Sequence, residues 1–542
     1  MKIALAQLNY HIGDFETNTN KIIEAINKAR NSGAELVVFA ELTITGYPPR
    51  DFLEFDEFIY SCEKAIQQIT EHTAEIGVII GVPVKNKNTK GKPLHNAAYF
   101  IHNKSIKSVH YKALLPNYDI FDEYRYFEPG NSFSIIKFKE HLIALTICED
   151  IWNLTDQPIY QACPMDQLKQ NAPDLMINIA ASPFDVDHHE DRLSILYNNV
   201  LKYNIPIIYV NHVGAQTELI FDGGSMVMNK AGQIVEQLDF FDEDLKVFDT
   251  DLFDKTKPDL APEKIERIHQ ALTLGIKDYF GKLGFKKAIL GLSGGIDSAL
   301  TATLAVEALG PENVLGVLMP SEFSSNHSIK DSLDLAKNLG IKTHTFKIQD
   351  NYNSIMEILS SVFENTPFGL AEENIQARVR GLLLMALSNK LGGIVLNTSN
   401  KSEAAVGYGT LYGDMNGGLS VLGDVYKTHV FDLARHINKG KVLIPLNTIS
   451  KPPSAELRPD QKDSDSLPEY ELLDKILELY IEKTQGREDI INMGFDADLV
   501  GQVLKMVNIN EYKRHQAPPI LRVSKKAFGM GRRMPIVAKY LS

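Results

Sequence analysis

Two groups of residues in this chain have the types and spacing to do chemistry. The first is the run Gly291-Leu292-Ser293-Gly294-Gly295-Ile296-Asp297-Ser298. It joins an apolar stretch, Ala288 to Leu292, to a helical pattern from Ser298 to Leu309 that Gly310-Pro311 stops. Paired glycines tolerate positive φ and let a ligand approach the backbone, and successive amides ahead of a helix N-terminus form a nest for an anion. Asp297 belongs in such a nest only if a cation accompanies the anion, so the combination points to a pyrophosphate carrying Mg²⁺. The second group is Glu41, Lys112 and Cys148, which stand at or near the ends of strand-like runs. A thiolate is a nucleophile, a carboxylate can act as general base, and an ammonium can stabilise a developing oxyanion. A lysine close to the thiol would also lower its pKa. Taken singly these residues have ordinary readings, since a lone Cys after a strand is most often a small buried hydrophobe.

The elements that must position these residues are legible as hydrophobic patterns. Lys2 to Leu8 alternates as a strand, Thr17 to Arg30 has helical periodicity, and Leu36 to Ala40 reads as a buried strand. Further strand-like runs are Ile76–Val82, Ala97–His102, Leu142–Ile147, Leu175–Ile179 and Ile205–Val210, with a helical segment at Arg192–Lys202. Between Glu236 and Pro262 acidic residues crowd, and Pro258 and Pro262 bracket the end, which puts a domain boundary near residue 260. Three segments result: a domain at 1–250, an acidic, proline-containing linker at 251–262, and a domain at 263–542 that opens with a helical pattern to about Phe280. The second domain alternates strand, loop, helix, then strand (Val314–Met319), helix (Ile329–Leu339) and strand (Thr343–Ile348). That is the pattern of a doubly wound, Rossmann-like parallel sheet in an α/β fold, whose ligands sit beyond the carboxyl ends of its strands.

Composition narrows the classes of function. The 542 residues carry a net charge of -13, which disfavours nucleic acid as a partner. There is no signal-peptide pattern at the start and no apolar run long enough to span a bilayer, so no membrane partner is expected. Three cysteines, Cys62, Cys148 and Cys163, form no C-x-x-C pair, which fits a reducing cytoplasm and no zinc or disulfide framework.

The local words carry more. S-G-G-x-D-S between strand and helix is neither a Walker loop nor a dinucleotide fingerprint. It resembles the loop of the ATP-pyrophosphatases, which cleave ATP to AMP and pyrophosphate. F-A-E-L-x-x-x-G-Y at Phe39–Tyr47, Y-K-x-L-L-P-N-Y at Tyr111–Tyr118 and C-E-D-x-W at Cys148–Trp152 resemble the nitrilase family of amide hydrolases. That resemblance implies an αββα sandwich, with Glu41 as base, Lys112 as oxyanion stabiliser and Cys148 as nucleophile. The two resemblances together, over essentially the whole chain, are those of the glutamine-dependent NAD⁺ synthetase family. Words that agree are Glu373–Arg380, Asn397–Glu403, Tyr412–Asp414, Lys451–Gln461 and Lys513–Pro519.

The resemblance implies ATP binding by Gly291, Leu292, Ser293, Gly294, Gly295, Ile296, Asp297, Ser298 and Thr398, and Mg²⁺ ligation by Asp297 and Glu403. It assigns the deamido dinucleotide to Asn374, Glu403, Tyr408 and Lys513, with Asp414 and Lys427 close by. Lys513 and Arg514 could close over that polyanion, or form a solvated basic turn. For glutamine it implies Tyr118, Ser182 and, six residues on, His188, where relatives commonly have Lys or Arg; His189 and Arg192 are the alternatives for the substrate carboxylate. The implied partners are small molecules (glutamine, ATP and deamido-NAD⁺), with a homodimer or higher homo-oligomer as the assembly. The implied reaction amidates nicotinic acid adenine dinucleotide through an acyl-adenylate, using ammonia from glutamine. Three other readings compete: a related amidotransferase with another acceptor, a tRNA-thiolating enzyme, and a non-catalytic protein on the same scaffold. The acidic charge and the lack of Cys after Cys163 oppose the second.

Overall fold

The computed structural model describes residues 1–88, 90–154, 159–364, 366–459, 461 and 463–540. Asp460, one position of the word at Lys451–Gln461, therefore lies outside the described residues. The chain divides into two compact units, Met1–Pro262 and Glu263–Ser542.

In the first unit the strands are β1 (Lys2–Gln7), β2 (Leu36–Val38), β3 (Gly77–Lys85), β4 (Leu94–His102), β5 (Ser105–Tyr111), β6 (Ile136–Phe138) and β7 (His141–Ile147). They continue with β8 (Leu175–Ile179), β9 (Ile207–Val210), β10 (Val213–Gln216), β11 (Leu219–Asp222), β12 (Met226–Met228), β13 (Ile234–Gln237) and β14 (Asp244–Asp249). One six-stranded sheet runs β14-β1-β2-β3-β4-β5 and another β13-β12-β9-β8-β7-β6, while β10 and β11 form a hairpin. Strand alternation decides the layers. Ile3, Leu5, Leu36, Val38 and Ile79 face the core they share with Ile143, Leu145, Ile177 and Ile208 of the other sheet. Their neighbours Ala4, Ala6, Val37, Val78 and Ile80 pack on Ile22, Ile26, Ile66 and Ile69 of α1 (Phe15–Asn31) and α2 (Asp56–Glu71). Strands buried on both faces read as unbroken apolar runs, which is why alternation is weak here in the sequence. With α3 (Pro164–Leu168) and α4 (His188–Tyr203) on the second sheet, the unit is the expected αββα sandwich. The acidic stretch before Pro262 lies against this unit: Asp259 accepts from Gln237 (3.1 Å) and pairs with His189 (2.8 Å), and Leu260 donates its N–H to Gln237 (2.7 Å).

Among the described residues the second unit has five strands, β15 (Lys287–Gly291), β16 (Val314–Leu318), β17 (Lys342–Thr345), β18 (Gly393–Asn397) and β19 (Leu419–Ser420). They run parallel in the order β17-β16-β15-β18-β19, so the order reverses beside β15, the strand that leads into the glycine loop. Packed together on one face are α5 (Lys264–Leu283), α6 (Ile296–Leu309) and α11 (Lys427–Ile437); between them in sequence come α7 (Asn326–Leu339), α8 (Gln349–Phe363), α9 (Leu370–Leu391) and α10 (Lys401–Val406). Helices α8 and α9 cover the opposite face, where Tyr352, Ile375, Val379 and Leu384 meet Ile289, Val317 and Val395. A C-terminal group follows: α12 (Leu446–Ser450), α13 (Tyr470–Ile481), α14 (Arg487–Asn492), α15 (Ala497–Ile509) and α16 (Glu511–Arg514).

Two boundaries differ from expectation with consequences. The strand expected at Thr343–Ile348 ends at Thr345, because the Ile348 N–H turns to the Pro320 carbonyl (3.3 Å) and leads into α8. The helix expected from Ser298 begins at Ile296, with Gly295 in extended conformation ahead of it. Asp297 therefore sits in the first turn, where the helix dipole favours its charge.

Gly81 of β3 shows how the fold constrains the chemistry. A methyl group built on it would stand 2.3 Å from the Leu42 nitrogen and 2.7 Å from the Glu41 carbonyl carbon. Gly81→Ala should therefore shift the backbone at Glu41, lower stability by about 1–3 kcal/mol, and depress the glutaminase activity that the resemblance implies for this unit more than the ammonia-dependent synthesis it implies for the other. A denaturation midpoint and paired assays check this; native glutaminase rates would refute it.

Candidate active sites

In the first unit Glu41, Lys112 and Cys148 are all buried at strand ends. Lys112 is fully buried and its ammonium donates to Glu41 Oε1 at 2.7 Å and to Glu123 Oε1 at 2.8 Å. The second oxygen of Glu41 accepts the Ala181 N–H at 3.0 Å, and Asn96 donates to both glutamates, at 2.7 Å to Glu41 and 3.3 Å to Glu123. Tyr47 donates to Glu123 at 2.9 Å. Cys148 follows β7 directly with φ of 43°, a left-handed conformation that costs a non-glycine residue free energy and that a rigid surround must hold. Asp150 supplies that surround: its carboxylate accepts the N–H groups of Ala113 (3.0 Å), Leu114 (2.9 Å) and Ile147 (3.0 Å). One side chain thus ties the cysteine turn to the segment that carries Lys112.

The electrostatics differ from the sequence expectation at one point. Burial first, and then the Glu41 carboxylate, push the Cys148 thiol well above its usual range, against the pull of Lys112. That rise favours the thiol over the thiolate. Burial alone would lower Lys112, but Glu123 and Glu41 hold its ammonium well above the ordinary lysine range. Glu123 is pushed up to about 7 by burial, opposed by Lys112 and reinforced by Glu41.

Around this core stand the residues expected for glutamine. Tyr118 donates to Glu149 at 2.9 Å, and so does Tyr160 at 3.0 Å. Ser182 Oγ lies 2.6 Å from His188 Nε2, and the His188 ring stacks on Trp152 with centroids 5.3 Å apart. The two alternatives to His188 are engaged elsewhere, Arg192 in a buried pair with Asp222 (2.7 Å) and His189 with Asp259 (2.8 Å).

In the second unit the loop closes on itself. Ser298 Oγ donates to the Gly295 carbonyl (3.1 Å) and accepts the Ser293 N–H (3.3 Å). Gly294 has φ of 79°, and a methyl group there would stand 2.4 Å from the Ser328 carbonyl oxygen, so only glycine fits. Beside the loop is a cavity of about 600 Å³. Gly291, Leu292, Ser293, Gly295, Ile296, Asp297, Ser298, Thr398, Glu403, Tyr408, Asp414 and Lys427 line it. Lys427 bridges the two expected metal ligands, 2.5 Å from Asp297 Oδ2 and 3.1 Å from Glu403 Oε1, while Asn400 donates to Asp297 Oδ1 at 2.9 Å. Burial pushes Glu403 up to about 8, with Lys427 opposing and Asp297 and Asp463 adding to the rise. Two carboxylates on one cavity wall are the hard oxygen donors that Mg²⁺ takes alongside phosphate, so the residues present fit that ion.

Asn374 and Lys513 are not in the cavity wall; they buttress a loop that is. Asn374 accepts from Thr410 Oγ1 (2.7 Å), and Lys513 donates to the carbonyls of Gly407 (2.7 Å) and Gly409 (2.9 Å), next to Tyr408. Arg514 is buried on the Ala405 carbonyl (2.7 Å) and Glu511 (2.7 Å), so it is a structural tie, not a closing arm. The sequence reading missed Asn96, Glu123, Glu149 and Asp150 in the first site and, in the second, Asn400 and the cavity-lining Arg380, Lys451 and Asp463. Glu149 and Asp150 stood in the quoted word after Cys148, and Asn400 in Asn397–Glu403; Glu123 and Asn96 gave no local signal.

Comparison with known proteins gives a family match in each unit. Residues 2–254 match the carbon-nitrogen hydrolase family and residues 268–517 the NAD synthase family. The chain is 46% identical to a glutamine-dependent NAD(+) synthetase of Synechocystis sp., over 99% of this chain and 99% of that one. It is 41% identical to the glutamine-dependent NAD(+) synthetase of Thermotoga maritima, over 100% of this chain and 99% of that one. Among solved structures, the glutamine-dependent NAD⁺ synthetase of Acinetobacter baumannii, in complex with ADP, aligns over 99% of this chain and 98% of its own at 40% identity and a TM-score of 0.79.

Two measurements test this geometry. Iodoacetamide labelling of Cys148, followed by mass spectrometry, should climb with pH past 9 without a plateau near neutrality, since the thiol is raised; a plateau near pH 7 would show a preformed thiolate. Lys427→Met leaves the half-buried Asp297 and Glu403 without their common cation. Chemical denaturation without ligands should show a loss of about 3–5 kcal/mol, and an unchanged midpoint would mean the bridge contributes nothing.

Proposed function

The chain belongs to the glutamine-dependent NAD(+) synthetases, and we propose a division of labour in which residues 1–250 hydrolyse glutamine and residues 263–542 use its ammonia. The observation that carries the reading is that each unit holds its own buried lysine–carboxylate centre next to a different reactive feature, a strained cysteine in one and a glycine loop in the other.

At the first centre Glu41 takes the proton of the Cys148 thiol as sulfur attacks the side-chain amide carbon of glutamine. A neutral thiol beside a carboxylate suits this order, because the proton leaves only when a substrate carbon receives the electron pair. Lys112 faces the oxyanion that develops at the carbonyl oxygen. The tetrahedral species collapses, the proton on Glu41 passes to the nitrogen, ammonia departs, and a thioester remains. Glu41 then deprotonates a water molecule that attacks the thioester, and glutamate leaves as the thiol is restored. Ser182 and His188 are assigned to the substrate carboxylate and Tyr118 to the substrate side; Glu149, beside the nucleophile, supplies negative charge for its ammonium group.

At the second centre the carboxylate of deamido-NAD⁺ attacks the α-phosphorus of ATP, pyrophosphate departs, and ammonia displaces AMP from the acyl carbon to give NAD⁺. Residues 291–298 and Thr398 are assigned to ATP, and Glu403 and Tyr408 to the dinucleotide; Asn374 and Lys513 act by holding the 407–414 loop. Asp297 and Glu403 would hold Mg²⁺, which supplies charge neutralisation for the leaving pyrophosphate when bound. No helix among the described residues is long and apolar enough to cross a membrane. A homo-oligomer is part of this reading, supported by the exposed apolar side chains Ile358, Val362, Leu370 and Leu382 of α8 and α9.

Cys148→Ala separates the two chemistries. Without the thiol no thioester forms and glutamine delivers no ammonia, while the second centre needs only free ammonia, ATP and the deamido dinucleotide. Ammonium salt at mildly alkaline pH should restore NAD⁺, AMP and pyrophosphate production in the variant, with glutamate absent. Failure of a folded variant that still binds ATP in a thermal-shift assay would overturn the division of labour.

A further inference from the structure

Away from both centres, helices α5, α6 and α11 bring two histidines and two glutamates together. Glu266 and His269 are three residues apart on α5 and share one face of it. His436 lies in the last turn of α11 and Glu307 in the last turn of α6. His436 Nε2 is 2.5 Å from Glu266 Oε2, and His269 Nε2 is 2.7 Å from Glu307 Oε2. The two rings meet edge to face with centroids 5.8 Å apart. One ligand atom from each of Glu266, His269 and His436 falls within 4.8 Å of the others. A second observation is independent of this spacing. The Nδ1 atoms of His269 and His436 are both buried and make no hydrogen bond.

The two idle, buried ring nitrogens belong to one cluster, on rings whose centroids are 5.8 Å apart. A buried polar atom without a partner costs about 1–3 kcal/mol. His269, held by Glu307 at one nitrogen with the other idle, has the arrangement that metal-ligating histidines use, and at His436 the ion would come between Nε2 and Glu266 Oε2 in place of their present contact. We propose that Glu266, His269 and His436 bind one divalent transition-metal ion of the Zn²⁺ kind, with Glu307 orienting the His269 ring. Two imidazoles and a carboxylate form a donor set for Zn²⁺ and not for Mg²⁺. The site is distinct from the ATP cavity. His436 stands nine residues after Lys427 on α11, about 14 Å along the helix axis. Its role is a brace: α6 and α11 begin at the two ends of the Asp297–Lys427 contact, and a metal at their far ends would fix both against α5.

The test uses the full chain, stripped of metal by chelation and with its thiols alkylated so that Cys148 cannot compete. Titration with Zn²⁺ by calorimetry should show one ion per chain. Co²⁺ should give visible d–d bands of a low-symmetry nitrogen and oxygen site, and saturating Mg²⁺ should not compete. His269→Ala and His436→Ala should each weaken Zn²⁺ binding at least about tenfold and abolish the Zn²⁺-dependent rise in Tm. If an alanine variant fails to fold, Glu266→Gln, which keeps shape and removes the charged donor, carries the same expectation. The proposal is overturned if Zn²⁺ binds these variants as it binds the native chain, or if the native chain takes up no Zn²⁺ at micromolar concentration. Because the readouts are binding and Tm, they stand apart from the assignment of the two active centres.

Discussion

A buried lysine shared by two carboxylates is the interaction on which both sites depend. Lys112 holds Glu41 and Glu123 in one unit, and Lys427 holds Asp297 and Glu403 in the other. Like charges that close in a low-dielectric interior repel by several kcal/mol unless a cation stands between them. The ammonium in turn loses its hydration on burial and needs the carboxylates to stay charged. Each group is therefore intolerable alone and stable only as part of the set. This fixes positions more tightly than packing does, since a displacement of any member exposes the others to unbalanced charge. The surrounding structure is arranged to prevent such displacement: Asn96 and Ala181 hold the glutamates of the first set, and Asn400 holds Asp297 in the second.

The same arrangement serves opposite ends in the two units. In the first, burial and then the Glu41 carboxylate raise the Cys148 thiol against the pull of Lys112, which favours the proton on sulfur. Reactivity is thereby tied to the arrival of an electrophilic carbon and not to a standing thiolate, which oxidants and other electrophiles would consume. In the second, the lysine occupies carboxylates suited to a metal. Glu403, raised to about 8, is poorly neutralised by Lys427 alone. A further positive charge at the cavity wall would offset the burial that raises Glu403.

How much of this was legible in the sequence depended on how local each feature is. The strands followed from apolar runs, the αββα layering from the family resemblance, and the glycine loop from eight consecutive residues, because a turn's chemistry is written in its own residues. Cys148, Lys112 and Glu41 were found from the words around them. Glu123 was not, although it touches Lys112 as closely as Glu41 does, because it sits in a single turn of 3₁₀ helix with no apolar run to mark it. The sign of the thiol's shift was also beyond reach. It is the difference between burial and two opposing charges, and burial is not a property of any local word. Arg514 departs from expectation for a related reason: a basic residue beside a polyanion site reads as ligand-binding, whereas here its donors go to the Ala404 and Ala405 carbonyls, while Lys513 donates to those of Gly407 and Gly409.

Those carbonyls explain why a basic pair is needed at that place at all. Helix α10 is only six residues long, Lys401–Val406, so most of its carbonyl groups lack a partner within the helix. It cannot be lengthened, because its N-terminus is pinned by Asn400, which also holds Asp297, and its C-terminus turns through Gly407 into the loop that carries Tyr408 and Asp414. Arg514 takes the carbonyls of Ala404 and Ala405, and Lys513 those of Gly407 and Gly409. Positive charge at a helix C-terminus is favourable in itself. The two residues therefore fix the short helix that presents Glu403, and through it the carboxylate that Lys427 shares. Substrate recognition at the cavity wall is in this way built on satisfying backbone groups that a helix so short leaves open.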